Sequence, residues 1–185
     1  MAAAVEFAAG GFAGGRVERI AKAAGVNKQL VFHYFKSKER LYSTAVHTAL
    51  STFPPANPTG ASPPEALKAG ISAILKAVET EPLIRTALAD CALARSGPEQ
   101  VHDSVGQWRE SHRSAIVEVL TDGQRNGFFR EEMEPGTVAG VILNAVIGAA
   151  LTTRPPESVA DSFHPSVSDF QTLLGRLVVD YCAWH

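Results

Sequence analysis

Between Ser51 and Pro64 the chain reads STFPPANPTGASPP, with five prolines and no charged residue. A proline inside a helix removes a backbone hydrogen bond and clashes with the preceding turn, and inside a sheet it removes a ladder bond. No regular element passes through such a stretch, so the residues on either side must form separate elements. Downstream, apolar residues recur at helical spacing. Leu67, Ile71, Ile74, Leu75 and Val78 follow Pro63 and Pro64 on one face, and Pro82 opens a further helix to about Ser96. After Gly97 and Pro98, a stripe of Val101, Val105, Trp108, His112, Ile116, Val119 and Leu120 predicts a longer helix that Gly123 and Gly127 stop. Pro135 precedes an uncharged helix ending before Pro155 and Pro156, and Phe170, Leu173, Leu174, Leu177, Tyr181 and Trp184 put a last helix at Val167–Trp184. There is no period-2 strand and no internal repeat, so the fold class is all-α.

The chain has 185 residues, 45% of them apolar, enough for a substantial core. Cys91 and Cys182 are far apart and have no metal-ligand neighbours, so neither a disulfide framework nor a metal site is expected. The start, MAAAVEFAAGGFA, lacks a positive leader and carries Glu6, which argues against a secretory signal and for a cytoplasmic location. Pro135–Thr153 is long enough to span a bilayer but holds Asn144, three glycines and three threonines without aromatic anchors. A helix buried all round in protein is the better expectation, with no membrane partner.

Net charge is only −2, yet residues 1–52 hold seven lysines and arginines against three acids, +4, which leaves −6 for the remainder. That asymmetry suggests that the first third meets a polyanion. Within it, Val17–Ala24 repeats apolar residues at Val17, Ile20, Ala21 and Ala24; Gly25 supplies left-handed turn geometry; and Asn27 suits the N-cap of a second helix through Phe35. Two short helices joined by a glycine turn make a helix-turn-helix unit, whose second helix enters the major groove. Val26, Val31 and Phe35 are expected to plug the small core while Gln29, Phe32 and His33 face away from it. Lys28 and Gln29 then sit where a first turn reaches base edges, Phe32 presses on a thymine methyl, and His33, Tyr34 and Lys38 hold phosphates. The competing reading makes Phe32 and Tyr34 core aromatics and Lys36 and Lys38 a solvated helix end.

The stretch FAAGGFAGGRVERIAKAAGVNKQLVFHYFKSKERLY, Phe7 to Tyr42, resembles the amino-terminal DNA-binding domain of the tetracycline-repressor (TetR) family. The likeness rests on Phe7, Gly11, Phe12, Ile20, Ala21, Ala24-Gly25-Val26, Tyr34-Phe35 and Ser37-Lys38-Glu39 in order. It implies a three-helix DNA-binding domain over 1–50, and over 51–185 a larger helical domain for ligand binding and dimerisation. It also implies base contacts from Lys28, Gln29 and Phe32 and phosphate contacts from His33, Tyr34 and Lys38. The chain departs from the family pattern in three places. Family members usually begin with a basic arm and a longer first helix, whereas this chain starts at Met1 directly in AAAVEF, so either a DNA contact is missing or the native start lies upstream; Gly15 stands where Thr or Ser commonly caps the second helix, and Phe32 replaces a usual Tyr.

The resemblance further implies a homodimer through helices near 136–153 and 167–184, joined as a four-helix bundle. Small residues on the first and a wide apolar stripe on the second support this independently. The middle helices would enclose a small-molecule effector, with Leu88, Cys91, Trp108 and His112 as candidate ligand contacts, although a satisfied core histidine and a core tryptophan compete with those roles. GQRNGFFREEMEP, from Gly123, is similar to the turn before the penultimate helices of many relatives. No catalytic or cofactor motif is present: no G-x-S-x-G, no phosphate loop, and the pairs Gly10-Gly11 and Gly14-Gly15 read as loop beside a helical segment. The expectation is therefore a ligand-responsive transcriptional regulator, a repressor rather than an enzyme, on palindromic double-stranded DNA. Two alternatives compete with it: a constitutive DNA-bound dimer with a filled pocket, and a helical enzyme using His112 with Asp103 or Glu110.

Overall fold

The computed structural model describes residues 1–56, 60–94 and 97–152. Among them are eight α-helices and no β-strand: α1 (Ala2–Gly14), α2 (Val17–Ala23), α3 (Lys28–Phe35), α4 (Lys38–Ser51), α5 (Pro63–Thr80), α6 (Pro82–Ala89), α7 (Glu99–Arg125) and α8 (Pro135–Thr152). A π-helical turn, Asp90–Ala94, follows α6 directly. The helix expected at Val167–Trp184 lies outside the described residues.

The chain divides into two compact units, one of Met1–Phe53 with Val78–Trp108, the other of Pro54–Ala77 with the residues from Arg109 on. The first unit thus takes in α6 and its flanks as well as the basic amino-terminal third. Its core is built on Phe7 and Tyr42, both fully buried, with Val46, Leu83, Ile84, Ala87 and Leu88 around them. The Phe7 and Tyr42 rings pack at 4.8 Å, and Phe12 adds a second ring contact to Tyr42 at 5.5 Å. Gly15 is buried under Phe7, where a Cβ would fall 2.4 Å from the ring. Its role is therefore close approach, and Arg16 rather than Gly15 is the N-cap of α2. The glycine pairs do not form loops: α1 runs through Gly10, Gly11 and Gly14 with a kink at Gly11, φ +62°.

In the second unit, the Glu65 carboxylate reaches back to the start of α5, accepting from the Ser62 amide at 2.9 Å and from its hydroxyl at 2.7 Å. Pro63 and Pro64 fill the first turn, where a missing N–H costs nothing. Leu67, Ile71, Ile74 and Leu75 of α5, Ile116 and Leu120 of α7, and Ile142 and Val146 of α8 are buried with Phe129. Gly123 does not stop α7, which continues to Arg125; a Cβ there would lie 2.1 Å from the Phe129 ring, so the glycine makes room for an aromatic. Gln124 then holds the following loop, its Nε2 donating to the carbonyls of Arg130 and Met133 at 2.7 Å each. Glu134 caps α8 by accepting from the Gly136 amide at 3.0 Å and from the Thr137 amide.

α8 is not buried all round. Ala139, Ile142, Leu143, Val146 and Ile147 are buried, but Thr137, Val141, Asn144 and Gly148 share an exposed face, with Val141 64% exposed. Among the described residues, no helix is long and apolar enough to cross a membrane.

Candidate DNA-binding surface and effector cavity

The turn between α2 and α3 closes on local bonds. Gly25 takes φ +69°, its amide donates to the Lys22 carbonyl at 3.2 Å, and the Val26 amide reaches Ala21 at 3.0 Å. Asn27 accepts from the Leu30 amide at 2.7 Å and so starts α3. Val31 is the buried anchor of that helix, Phe35 is half-buried, and Val26, expected in the core, is exposed because the turn carries it outward.

On the same helix, Lys28, Gln29, His33 and Tyr34 are exposed and Phe32 is half-buried; Gln29 and His33 lie opposite the anchor. Tyr34 is 72% exposed, its ring edge-on to His33 at 5.5 Å. Lys28 is already engaged: its ammonium pairs with Glu18 of α2 and lies 5.6 Å from the Phe32 ring centre. The hydrogen bond from Lys28 holds the Glu18 carboxyl below the usual carboxylate range. Lys38 is engaged too, donating to the Ala13 carbonyl at 3.3 Å and sitting 5.0 Å from the Phe12 ring centre. A cation there complements the carbonyl end of α1. Lys36 closes α3 with φ +67°, and Ser37 caps α4 by accepting from the Arg40 amide at 3.2 Å.

In the second unit a narrow cleft with an enclosed volume of about 10 Å³, partly open to solvent, is lined by Leu67, Gly70 and Ile74 of α5 and by His112, Ile116 and Val119 of α7, among others. Tyr and Trp aside, His112 is the one buried polar side chain among the described residues. The walls are apolar, so a bound molecule would lose its water against carbon on most sides and meet imidazole at one point. No group of three His, Cys, Asp or Glu side chains suited to a metal ion occurs among the described residues.

Residues 1–45 match the profile of the family described as "Bacterial regulatory proteins, tetR family". A curated relative, the HTH-type transcriptional repressor SCO4008 of Streptomyces coelicolor, is 28% identical over 126 residues, 68% of this chain and 62% of its own length. The helices also superpose on those of solved structures. AibR, in complex with isovaleryl coenzyme A and operator DNA, matches with a TM-score of 0.74 at 16% identity, over 95% of this chain and 93% of that one. FadR from Bacillus subtilis, in complex with stearoyl-CoA, matches with a TM-score of 0.73 at 17% identity, over 97% and 95%. The first 45 residues are thus similar to the amino-terminal domain of tetR-family regulators, and the remainder shares the helical fold of the solved structures. The aligned stretch spans less than two thirds of the Streptomyces repressor.

Of the residues expected at the DNA face, Lys28, Gln29, Phe32, His33 and Tyr34 lie together on α3, and Lys38 begins α4 against the end of α1. The four effector candidates are not brought together. His112 lines the cleft, whereas Leu88 is core of the first unit, Cys91 is half-buried in the π-helical turn, and buried Trp108 donates its indole N–H to the Phe53 carbonyl at 3.0 Å. Glu110, the suggested partner for a catalytic His112, gives its carboxylate to Arg113 at 2.8 and 2.9 Å, and Asp103 is exposed. Sequence reasoning missed Glu18 as the partner of Lys28, and the α5 wall of the cleft. A Glu on the first turn of α2 ten residues before a Lys carried the first signal, and the small residue Gly70 in an apolar stripe the second.

Proposed function

We propose that the protein is a ligand-responsive transcriptional repressor that binds palindromic operator DNA as a homodimer. The observation that carries this reading is α3: a capped helix anchored by Val31 that leaves Lys28, Gln29, His33 and Tyr34 exposed beside a half-buried Phe32 in a segment of net positive charge. Lys28 and Gln29 serve as base-facing residues with Phe32, and His33, Tyr34 and Lys38 hold phosphates. The amino-terminal family match and the repressor among the relatives support it.

The partner in the dimer is a second copy seated on the open face of α8, where Thr137, Val141, Asn144 and Gly148 permit close helix approach. Two copies of α3 would then address successive major grooves about 34–36 Å apart, or a multiple of that. The effector occupies the cleft between α5 and α7. Its enclosed volume of about 10 Å³ is far below that of a ligand pocket, so α5 and α7 must part to admit an effector, and their carbon lining suits a mainly apolar group. Because AibR and FadR are each found in complex with a coenzyme A thioester, acyl thioesters are the first class to test. An effector that favours a DNA-incompetent state by about 1–3 kcal/mol lowers operator affinity 5- to 150-fold.

Selection of duplexes from a random pool, followed by titration of the selected site with acyl-CoA thioesters, tests the reading. A two-fold symmetric site whose affinity falls with one thioester is expected. Val119→Phe, which fills the cleft, should leave DNA affinity intact and abolish the response. Failure to enrich any duplex at low salt refutes DNA binding, and enrichment with no dependence on any effector leaves the constitutive alternative.

A further inference from the structure

The kink in α1 interrupts one rung of its hydrogen-bond ladder, and both halves of that rung are taken up by one neighbouring helix. In an unbroken helix the Phe12 amide would donate to the Ala8 carbonyl four residues back. With Gly11 at φ +62° and ψ −170°, the Phe12 amide instead donates to Asp90 Oδ2 at 3.2 Å, and the Ala8 carbonyl accepts from Thr86 Oγ1 at 2.9 Å. Thr86 and Asp90 are one turn apart, so they present to α1 at the same spacing as the groups they replace. The Tyr42 hydroxyl donates to the same Asp90 oxygen at 3.1 Å, which ties α4 into the node. Only glycine serves at position 11, since φ is positive there and a Cβ would stand 3.2 Å from the Asp90 carboxylate.

What the node holds is the end of α1 that Lys38 rests on, through the Ala13 carbonyl and the Phe12 ring. We propose that Asp90, with Thr86 as its companion, is a positioning residue for DNA binding: from outside the helix-turn-helix segment it holds the kinked end of α1, and thereby the Lys38 end of α4, in register with the recognition helix. This inference rests on the DNA-binding reading above. Asp90 touches no nucleic acid itself; it acts through a backbone amide and a phenol.

The test joins amide hydrogen exchange over residues 8–16 to operator affinity measured across salt concentrations, both on the full-length protein. Asp90→Ala should speed exchange of the Phe12 amide and weaken binding to all duplexes roughly tenfold, as expected when a charge-assisted hydrogen bond is lost. Thr86→Val, isosteric and milder, should do the same to a smaller extent. Asp90→Asn keeps an acceptor and should restore most of both readouts. If Asp90→Ala compromises folding, Thr86→Val carries the test alone. Unchanged Phe12 exchange and unchanged affinity in the variants overturn the positioning role. Wild-type protein that enriches no duplex removes the DNA-binding reading, and the positioning role with it, even when the exchange data still reveal the clamp.

Discussion

Replacing Glu18 by Gln removes the carboxylate that engages Lys28, which the proposed function sets against a duplex. Both side chains are largely exposed, so the pair contributes little to folding and the variant should unfold at nearly the wild-type temperature. Its effect should fall on DNA. In the wild type, Lys28 must leave Glu18 before it meets a phosphate or base, and the vacated carboxylate then stands beside the polyanion. In the variant neither opposition remains. Each phosphate neutralised contributes about 0.9 to the slope of log affinity against log salt, so one cation more fully engaged steepens that slope by up to about 0.9. Across a fourfold range of salt, about 50 to 200 mM, this corresponds to roughly a 3.5-fold change in the ratio of variant to wild-type affinity. Fluorescence anisotropy with a selected duplex at several salt concentrations reads it directly. Tighter binding at low salt, with the advantage shrinking by about threefold at high salt, is the expected outcome. An unchanged slope means that Lys28 stays with Glu18 in the complex, and weaker binding means that the carboxylate aims Lys28 at the DNA; either result refutes the reasoning.

Tyr42→Phe keeps the ring contacts to Phe7 and Phe12 but deprives Asp90 of a donor, and should cost about 1–3 kcal/mol in chemical denaturation. Burial, then the Asp90 charge, raise the Tyr42 phenol well above its ordinary value near 10. A raised folded value means that its stabilising contribution is complete below about pH 10 and is lost as pH climbs beyond it, so wild type should lose stability there more steeply than Tyr42→Phe. Gly123→Ala gains about 1 kcal/mol of helix propensity, yet its Cβ would meet Phe129 at 2.1 Å; net thermal destabilisation is expected, and a stabilised variant would contradict the packing. Lys38→Ala should weaken binding to every sequence and lower the salt slope by about one, whereas Gln29→Ala should relax preference at a single base pair in competitive selection. The opposite pattern exchanges their roles.

Features that act over a few residues were legible in the sequence. Gly25, Asn27 and the Pro63-Pro64 start each satisfy or avoid a backbone group within one turn, so residue type alone signals them. What the sequence hid depends on distant neighbours. Gly123 reads as a stop until Phe129 is seen lying on it, and Gly15 reads as a poor cap until Phe7 is found there. The stripe through Trp108 and His112 was correct as a buried face, but spacing cannot say that Trp108 turns to the Phe53 carbonyl while His112 lines a cleft with α5. α8 lacks charge on every side, so composition could not reveal that Thr137, Val141, Asn144 and Gly148 face outward. Asp90 lies 78 residues from Phe12, and nothing in either local sequence announces their bond.

The strut that Gln124 places across the loop after α7 grips main-chain oxygens and no side chain. Arg130, Glu131 and Glu132, all exposed on that loop, are thereby released from any duty to shape it. Their charges are free to drift over evolutionary time, so the electrostatic character of this corner can be retuned without disturbing the path of the backbone beneath.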